Sequence, residues 1–329
     1  MKKIINNPNH VVSEMLQGLA KSNPDVVYAG EGVEVISRKV KKENKVGVIS
    51  GGGSGHEPAH AGYVGKGMLD AAIAGNVFAS PSPDRIIEGI KAADSGCGVL
   101  MVIKNYSGDI MNFEMSGDLA EMEGIKTAKV IVRDDVAVAD STYSTGRRGI
   151  AGTVFVHKIA GAAAEAGKSL EEVAAVAQKT ADNVRSMGMA MTPCILPAVG
   201  TPGFELAESE VEIGMGIHGE PGINRENIMP AKDLAEKMLG LILADYDYSG
   251  SEVAVMVNGL GGTPLMELYI LFNEVEKILS EKGIRIHRTF VGNYMTSLEM
   301  AGCSVTLLKL DEELKEYLDA PSEAPGMRI

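Results

Sequence analysis

Cysteine is scarce in this chain. Its three cysteines lie far apart and form neither a CxxC pair nor a plausible set of disulfides, which indicates a reducing compartment. Long apolar runs are absent too: no stretch approaches the roughly 18 apolar residues of a membrane-spanning helix. The start, MKKIINNPNH, turns polar at once and lacks the apolar core of a signal peptide. We therefore expect a cytoplasmic protein with no membrane partner.

Basic residues are also fewer than acidic ones. The 31 Lys and Arg residues face 44 Asp and Glu residues, which gives a formal net charge of −13, and no run of basic residues is longer than two. This balance opposes binding to the phosphate backbone of nucleic acids. We expect no nucleic-acid partner.

Both common nucleotide fingerprints fail. Gly51 and Gly53 begin a G-x-G-x-x-G pattern, but its third glycine is replaced by His56. A phosphate-binding loop would need four residues between a first glycine and Gly167-Lys-Ser, whereas Gly161 is separated from it by five. A dinucleotide-dependent oxidoreductase is therefore disfavoured, and we expect no cofactor bound by this chain.

Glycine, in contrast, is abundant. The chain has 39 glycines, about 12 % of its residues against a usual share of about 7 %. They follow no G-X-Y period, which excludes collagen. Many cluster just after short apolar runs, where we predict loops that let the backbone approach a small ligand.

Apolar runs that alternate with helical segments predict an α/β fold with mainly parallel or mixed sheets flanked by helices. The proline-rich segment 193–202 predicts a crossover, so we expect one region built from subdomains 1–190 and 191–329. Helices are predicted over 154–166 and 170–187, the second with a capping box at Ser169 and Glu172. The predicted strands cover residues 46–50, 98–103, 128–133, 211–215, 253–257, 284–290 and 305–309.

Two polar clusters follow the first strands. His56 ends the loop Gly51-Gly-Gly-Ser-Gly and is either a proton acceptor or a residue that only hydrogen-bonds the loop. With His60 it forms an i, i+4 pair, but Pro58 interrupts the pattern and leaves zinc a weak alternative. Asp109, after Lys104, is either a proton acceptor for a substrate hydroxyl or the N-cap of a helix.

His218 stands between glycines on both sides, so we do not expect it to be a packed core residue. A neutral imidazole can attack a carbonyl carbon, although a metal ligand or a general base is also consistent with this pattern. Arg147 and Arg148 are either an anion site or a solvated helix start. The loop 258–264 is either a contact loop or a tight turn. The remaining histidines, which we interpret as structural or surface residues, are His10, His157 and His287.

Five motifs in chain order resemble one family, the K (substrate-binding) subunits of bacterial dihydroxyacetone kinases. They are SGGGSGHEP (50–58), VIKNYSGD (102–109), DDVAV (134–138) with STGRRG (144–149), GIHGEPG (216–222) and NGLGGTPLMELY (258–269).

The resemblance implies that His218 captures the carbonyl of dihydroxyacetone as a covalent hemiaminal. It also implies that His56 and Asp109 are the candidate bases for the attacking hydroxyl, and that no metal is bound. The residues expected to contact the substrate are Gly53, Ser54, Gly55, His56, Lys104, Asp109 and His218.

The partners are implied by the same resemblance. An L subunit would hold ADP and magnesium and deliver the phosphoryl group, and an M subunit of the phosphotransferase system would recharge it. The chain ends at Ile329, directly after the K-type region, as in the multi-subunit type, and a homodimer is expected. The alternative is a non-catalytic relative that senses dihydroxyacetone and co-activates a transcription factor. The presence of both His56 and Asp109 favours the enzyme, since a sensor needs no base.

Overall fold

The computed structural model describes residues 2–139 and 146–329. No helix among them is both long and apolar enough to cross a membrane. The helices are α1 (Val11–Ser22), α2 (Pro83–Ala93), α3 (Ser107–Met122), α4 (Thr153–Glu165), α5 (Leu170–Asn183), α6 (Ala231–Asp245), α7 (Leu265–Glu281) and α8 (Glu312–Asp319).

The strands form two sheets of six and one two-stranded ribbon, which confirms the predicted α/β fold. They are β1 (Val26–Tyr28), β2 (Val35–Arg38), β3 (Gly47–Ser54), β4 (Ala71–Val77), β5 (Val99–Lys104), β6 (Thr127–Val132), β7 (Val184–Ala190), β8 (Glu210–Ile213), β9 (Asn224–Asn227), β10 (Glu252–Gly259), β11 (Arg285–Gly292), β12 (Gly302–Leu310), β13 (Glu323–Ala324) and β14 (Met327–Arg328).

The chain folds into two compact units. The first unit comprises residues 2–132, 153–182 and 314–329, and the second unit comprises 133–152 and 183–313. These are not the continuous segments 1–190 and 191–329 expected from the sequence. The difference arises because β7 hydrogen-bonds to β12 and joins the second unit, whereas the last sixteen residues join the first.

The first unit contains a sheet of order β1-β2-β4-β3-β5-β6. Its strands β4, β3, β5 and β6 are parallel, and β1 and β2 add an antiparallel edge. Every residue of β5 is buried, as expected for a parallel strand covered on both faces. Ile49, Ile73 and Met101 pack into one apolar cluster with Ile90 of α2 and Phe113 of α3.

The last residues of the chain complete this first unit. The buried Lys158 Nζ donates a hydrogen bond to the Tyr317 carbonyl at 2.7 Å. The Gly326 N–H donates to the Gly62 carbonyl at 2.7 Å. The C-terminal segment therefore provides a hydrogen-bond acceptor to a buried lysine of α4 and a donor to the turn at Gly62.

The second unit contains a sheet of order β11-β10-β12-β7-β8-β9. Only β10 and β11 are parallel, and the other neighbours are antiparallel. Its core includes Leu239 of α6, Leu271 of α7, and Val255 and Val305 of the central strands. The sheet is therefore mixed, within the range that the sequence predicts.

The helix predicted over 170–187 is partly wrong. It begins with the predicted capping box: the Ser169 N–H donates to the Glu172 carboxylate at 2.8 Å, and the Glu172 N–H donates to Ser169 Oγ at 3.3 Å. It ends at Asn183, because the following residues pair with β12 along seven positions. Pairing with a distant strand thus outweighs local helix propensity.

Candidate functional site

The glycines after the first buried strand do not form a loop. β3 continues through Gly51 and Gly53, which pair with Ile73 and Gly75 of β4. A Cβ atom at Gly53 would lie 2.6 Å from the Ala79 amide nitrogen. The prediction of a glycine-rich loop over these residues is therefore wrong. Glycine is needed here because another segment of backbone packs directly against the strand.

Lys104 packs against this strand at Gly52. It ends β5, is fully buried, and its Nζ lies 3.7 Å from Asp109 Oδ2. A Cβ atom at Gly52 would lie 2.6 Å from that Nζ, so a glycine is required for the ammonium group to approach the strand. Within residues 2–139 and 146–329 the Nζ makes no hydrogen bond. A buried ammonium group of this kind is suited to an oxygen-rich ligand.

Asp109 is the third residue of α3 and lies in its first turn. It is not the N-cap, which is Tyr106. Its side chain is buried. A helix N-terminus favours negative charge, and Lys104 provides a positive partner. The N-cap alternative is therefore wrong, and the carboxylate is placed where it can accept a proton.

His56 is fully buried immediately after the glycine strand. Its ring stacks on Phe78, with centroids 5.1 Å apart and planes 11° apart. Phe78 adopts a φ of 59°, a left-handed conformation that is rare for a bulky residue and costly unless its surroundings require it. Its N–H donates to the Ser54 carbonyl at 3.0 Å. Phe78 was not predicted as a site residue, and a strained backbone leaves no signal in the sequence.

His60 forms a buried pair with His157 of α4 rather than with His56. Its Nδ1 lies 3.0 Å from His157 Nε2 and 3.4 Å from Ser50 Oγ. Burial, followed by the charge of Lys104, lowers the pKa of His157 to about 3 and that of His60 well below its usual value. Both rings are therefore neutral at physiological pH. No group of three or more His, Cys, Asp or Glu side chains within the described segments is arranged to hold a metal ion.

In the second unit, His218 is held by Glu220. His218 Nδ1 lies 2.7 Å from Glu220 Oε1, and the His218 N–H donates to Glu220 Oε2 at 2.9 Å. Burial raises the pKa of Glu220, but the hydrogen bonds and charge of His218 outweigh it and bring that pKa to about 2. An ionised carboxylate only accepts hydrogen bonds, so Nδ1 carries a proton. When the ring is neutral, Nε2 then keeps its lone pair and is a nucleophile.

The loop around His218 depends on two glycines. Gly214 and Gly219 have φ values of 83° and 82°, in the left-handed region that glycine adopts without strain. The Gly216 N–H donates to the Glu220 carbonyl, and the Gly219 N–H donates to the Gly216 carbonyl, both at 3.1 Å. The loop is thus closed on itself and presents His218 with its side chain 18 % exposed.

The other predicted contact residues have structural partners. Arg147 forms a bidentate pair with Asp245, and Arg148 binds Asp135, so neither is a solvated helix start. Ser144 and Thr145 of the same motif lie outside the described residues. Asn258 accepts hydrogen bonds from the N–H groups of Tyr294 and Met295 at 2.8 and 2.9 Å, which supports a tight turn rather than a contact loop.

The predicted site residues thus belong to two environments. Gly53, Ser54, Gly55, His56, Lys104 and Asp109 are in the first unit, where β3, β5 and α3 place them, and His218 is in the second unit. Sequence reasoning missed Glu220, the hydrogen-bond partner of His218. A glutamate two residues after a glycine-flanked histidine was the signal that could have identified it.

Comparison with known proteins assigns the family. The model of the Dak1 domain matches residues 17–326. The chain belongs to the Dak1 family. Among its Dak1 relatives, the dihydroxyacetone-binding subunit DhaK of PTS-dependent dihydroxyacetone kinase 1 from Listeria innocua is 57 % identical over 314 residues, which cover 95 % of each chain. The resemblance read from the five motifs is thereby confirmed.

Two solved Dak1-type structures have the same fold. The dihydroxyacetone kinase of C. freundii superposes with a TM-score of 0.93 at 36 % identity, covering 99 % of this chain and 60 % of the other. The dihydroxyacetone kinase operon co-activator Dha-DhaQ superposes with a TM-score of 0.90 at 37 % identity, covering 94 % and 96 %. The fold is therefore shared by kinases and by a regulator.

Proposed function

We propose that this chain is the dihydroxyacetone-binding subunit of a PTS-dependent dihydroxyacetone kinase. The observation that carries the proposal is the geometry of His218, whose Nδ1 lies 2.7 Å from Glu220 Oε1, so that Nε2 is the nitrogen proposed to attack the carbonyl. The 57 % identity to a DhaK subunit over nearly the whole of both chains supports it.

The proposed chemistry is a reversible addition to a ketone. The Nε2 lone pair of His218 forms a bond to the carbonyl carbon, and the π electron pair moves to the carbonyl oxygen. That oxygen takes up a proton and becomes a hydroxyl. The ring, positively charged after the attack, is stabilised by the Glu220 carboxylate until its Nδ1 proton is released. The product is a hemiaminal, formed with no net gain or loss of protons.

A covalent bond to the carbonyl carbon provides specificity. Glycerol has no carbonyl group and cannot form the hemiaminal, whereas hydrogen bonds alone would separate the two compounds weakly. Fixing the carbonyl carbon also restricts the terminal hydroxyl, which lowers the entropic cost of phosphoryl transfer.

Residues of the first unit are proposed to supply the general base for phosphoryl transfer. Asp109 and His56 are the candidate bases, and Lys104 is a donor to a substrate oxygen. The backbone of Gly53, Ser54 and Gly55 is proposed to bind the substrate. The buried Lys104 and Asp109 side chains, 3.7 Å apart, support this assignment.

The phosphoryl donor is proposed to come from another chain, since neither nucleotide fingerprint is complete in this one. An L subunit would hold ADP and magnesium, and an M subunit of the phosphotransferase system would recharge it. We also propose a homodimer and a cytoplasmic location.

Hemiaminal formation tests the role of His218 in this proposal. In ¹³C NMR of dihydroxyacetone labelled at its carbonyl carbon, the protein should convert the carbonyl resonance into that of a saturated carbon. His218→Ala should abolish this signal, whereas the exposed His287 of the same unit provides a control, His287→Ala, that should keep it. A signal that persists in His218→Ala would exclude His218 as the nucleophile.

The second candidate is a ligand-sensing co-activator, which the superposition with Dha-DhaQ favours. Reconstitution with L and M subunits separates the two functions. Formation of dihydroxyacetone phosphate establishes the kinase subunit. A hemiaminal without any phosphoryl transfer in a mixture that is active with a known K subunit would reject the kinase and favour the co-activator.

A further inference from the structure

The two consecutive arginines of the second unit have different partners. Arg147 pairs with Asp245 at the surface. Arg148 is buried: its Nε donates to Asp135 Oδ2 at 2.8 Å, and its Nη2 donates to the Gly214 carbonyl at 2.7 Å. Asp135 in turn donates its N–H to the Arg148 carbonyl at 3.1 Å. Arg148 is thus fixed at one end by Asp135 and holds the start of the His218 loop at the other.

Arg148 also approaches the carboxylate that orients His218. A Cβ atom built at Gly216 would lie 2.7 Å from Arg148 Nη1 and would overlap Glu220 Oε2. The guanidinium and the carboxylate therefore approach the same point of the backbone, where a methyl group would displace at least one of them.

We infer that Arg148 is a positioning residue for His218, which keeps the imidazole of His218 unprotonated beside Glu220. The inference rests on the proposed function. A carboxylate next to an imidazole favours the imidazolium form, which has no lone pair on Nε2 and cannot attack a carbonyl. A guanidinium near the same carboxylate offsets this effect, while its bond to the Gly214 carbonyl fixes the loop.

The other charged groups near this loop have their own partners. Glu212 of β8 accepts the Gly222 N–H at 2.7 Å and pairs with Arg225 at 3.1 Å. Asp134 accepts the N–H groups of Ile150 and Gly152, both at 2.8 Å. Among the residues that the structure describes, we therefore attribute the charge effect on His218 to Glu220 and Arg148, with Asp135 hydrogen-bonded to Arg148.

The experiment measures hemiaminal formation by ¹³C NMR across pH for three variants. Arg148→Gln should weaken binding of dihydroxyacetone roughly tenfold, through loss of charged hydrogen bonds, and should move the acidic limb of the binding profile about one pH unit higher. Arg148→Lys should keep the wild-type pH profile but lose affinity, because an ammonium cannot reproduce both bonds. Arg147→Gln is the matched control and should leave affinity and pH profile unchanged.

A purely structural role would lower affinity without moving the pH profile, so an unchanged profile in Arg148→Gln overturns the inference. If that variant does not fold, Arg148→Met decides: it keeps a long side chain without the charge and should move the profile in the same direction. A wild-type protein that forms no hemiaminal overturns the proposed function and this inference together. A normal wild-type hemiaminal with an unshifted variant overturns the inference alone.

Discussion

His218 of the second unit and His157 of the first unit each make one short hydrogen bond through the imidazole, to partners of opposite character. His218 meets an ionised carboxylate at 2.7 Å and is partly exposed. His157 meets another imidazole at 3.0 Å, is fully buried, and feels the charge of Lys104. Burial and the neighbouring charge, rather than the residue type, therefore decide whether a histidine is a candidate nucleophile or a neutral core residue.

The largest expected effect separates the two units. Asp109→Asn should lower phosphoryl transfer in the reconstituted system by about 10²- to 10⁴-fold, the usual contribution of a general base. Hemiaminal formation on His218 should persist, because it depends on Glu220. Phosphate release and ¹³C NMR measure the two steps. His56→Asn tested in parallel identifies which residue is the main base, and loss of the hemiaminal in both variants would contradict the separation.

The next effect concerns the carboxylate partner of His218. Glu220→Gln keeps a hydrogen-bond acceptor for Nδ1 but removes the negative charge that stabilises the ring after attack. Dihydroxyacetone binding should weaken roughly tenfold. Glu226→Gln is the control, since Glu226 lies in the same unit but pairs with Lys237. Equal binding by Glu220→Gln and wild type would show that orientation alone is sufficient.

A further effect is expected on the pH dependence of stability in the first unit. The unfolded chain protonates His157 below about pH 6.5, whereas the native protein does so only near its pKa of about 3. Between these values the unfolded state binds more protons, so the free energy of unfolding should fall as pH falls, by roughly 4 kcal/mol in total.

The measurement is urea unfolding of the wild type and His157→Phe between pH 3 and 7. The variant should lose most of that pH dependence. Burial raises the pKa of Asp135 to about 6 despite the opposing charge of Arg148, so this group makes the free energy of unfolding rise as pH falls. Asp135 is present in both proteins, and its contribution cancels in their difference. Parallel pH profiles would show that His157 is not the group responsible. The exposed His10→Gln is the control.

The smallest effect tests the close packing at the glycine strand. Gly52→Ala places a methyl group 2.6 Å from Lys104 Nζ and should destabilise the protein by about 2 kcal/mol and weaken substrate binding. Gly18→Ala, in α1 with no atom within 4 Å of the new methyl, should instead stabilise it by about 0.5 kcal/mol. Thermal unfolding and substrate titration measure both, and similar results for the two variants would contradict the packing argument.

Local patterns predicted much of the fold. The apolar runs that became β5, β10 and β12 are long and continuous, and Ser169 with Glu172 marked the start of α5. The strand β7 was missed because its residues follow an alanine-rich helix, and only pairing with β12, more than a hundred residues away, makes them extended. The edge strand β1 is only three residues long, and β9 contains no apolar residue, so neither was recognised.

The site was predicted unevenly for the same reason. His218 was found because glycines flank it, and Asp109 because it follows a buried strand. Contacts between distant segments could not be predicted: Arg148 donates a hydrogen bond to the Gly214 carbonyl from 66 residues away. His157 was interpreted as structural, and its buried, neutral state agrees with that interpretation.

The return of the C-terminal segment to the first unit constrains the order in which the protein can be completed. A ribosome releases residues 2–132 first, whereas the Tyr317 carbonyl, which accepts a hydrogen bond from the buried Lys158 Nζ, emerges much later. All residues of the second unit are available before then. The first unit thus begins to form before the second unit and is completed after it.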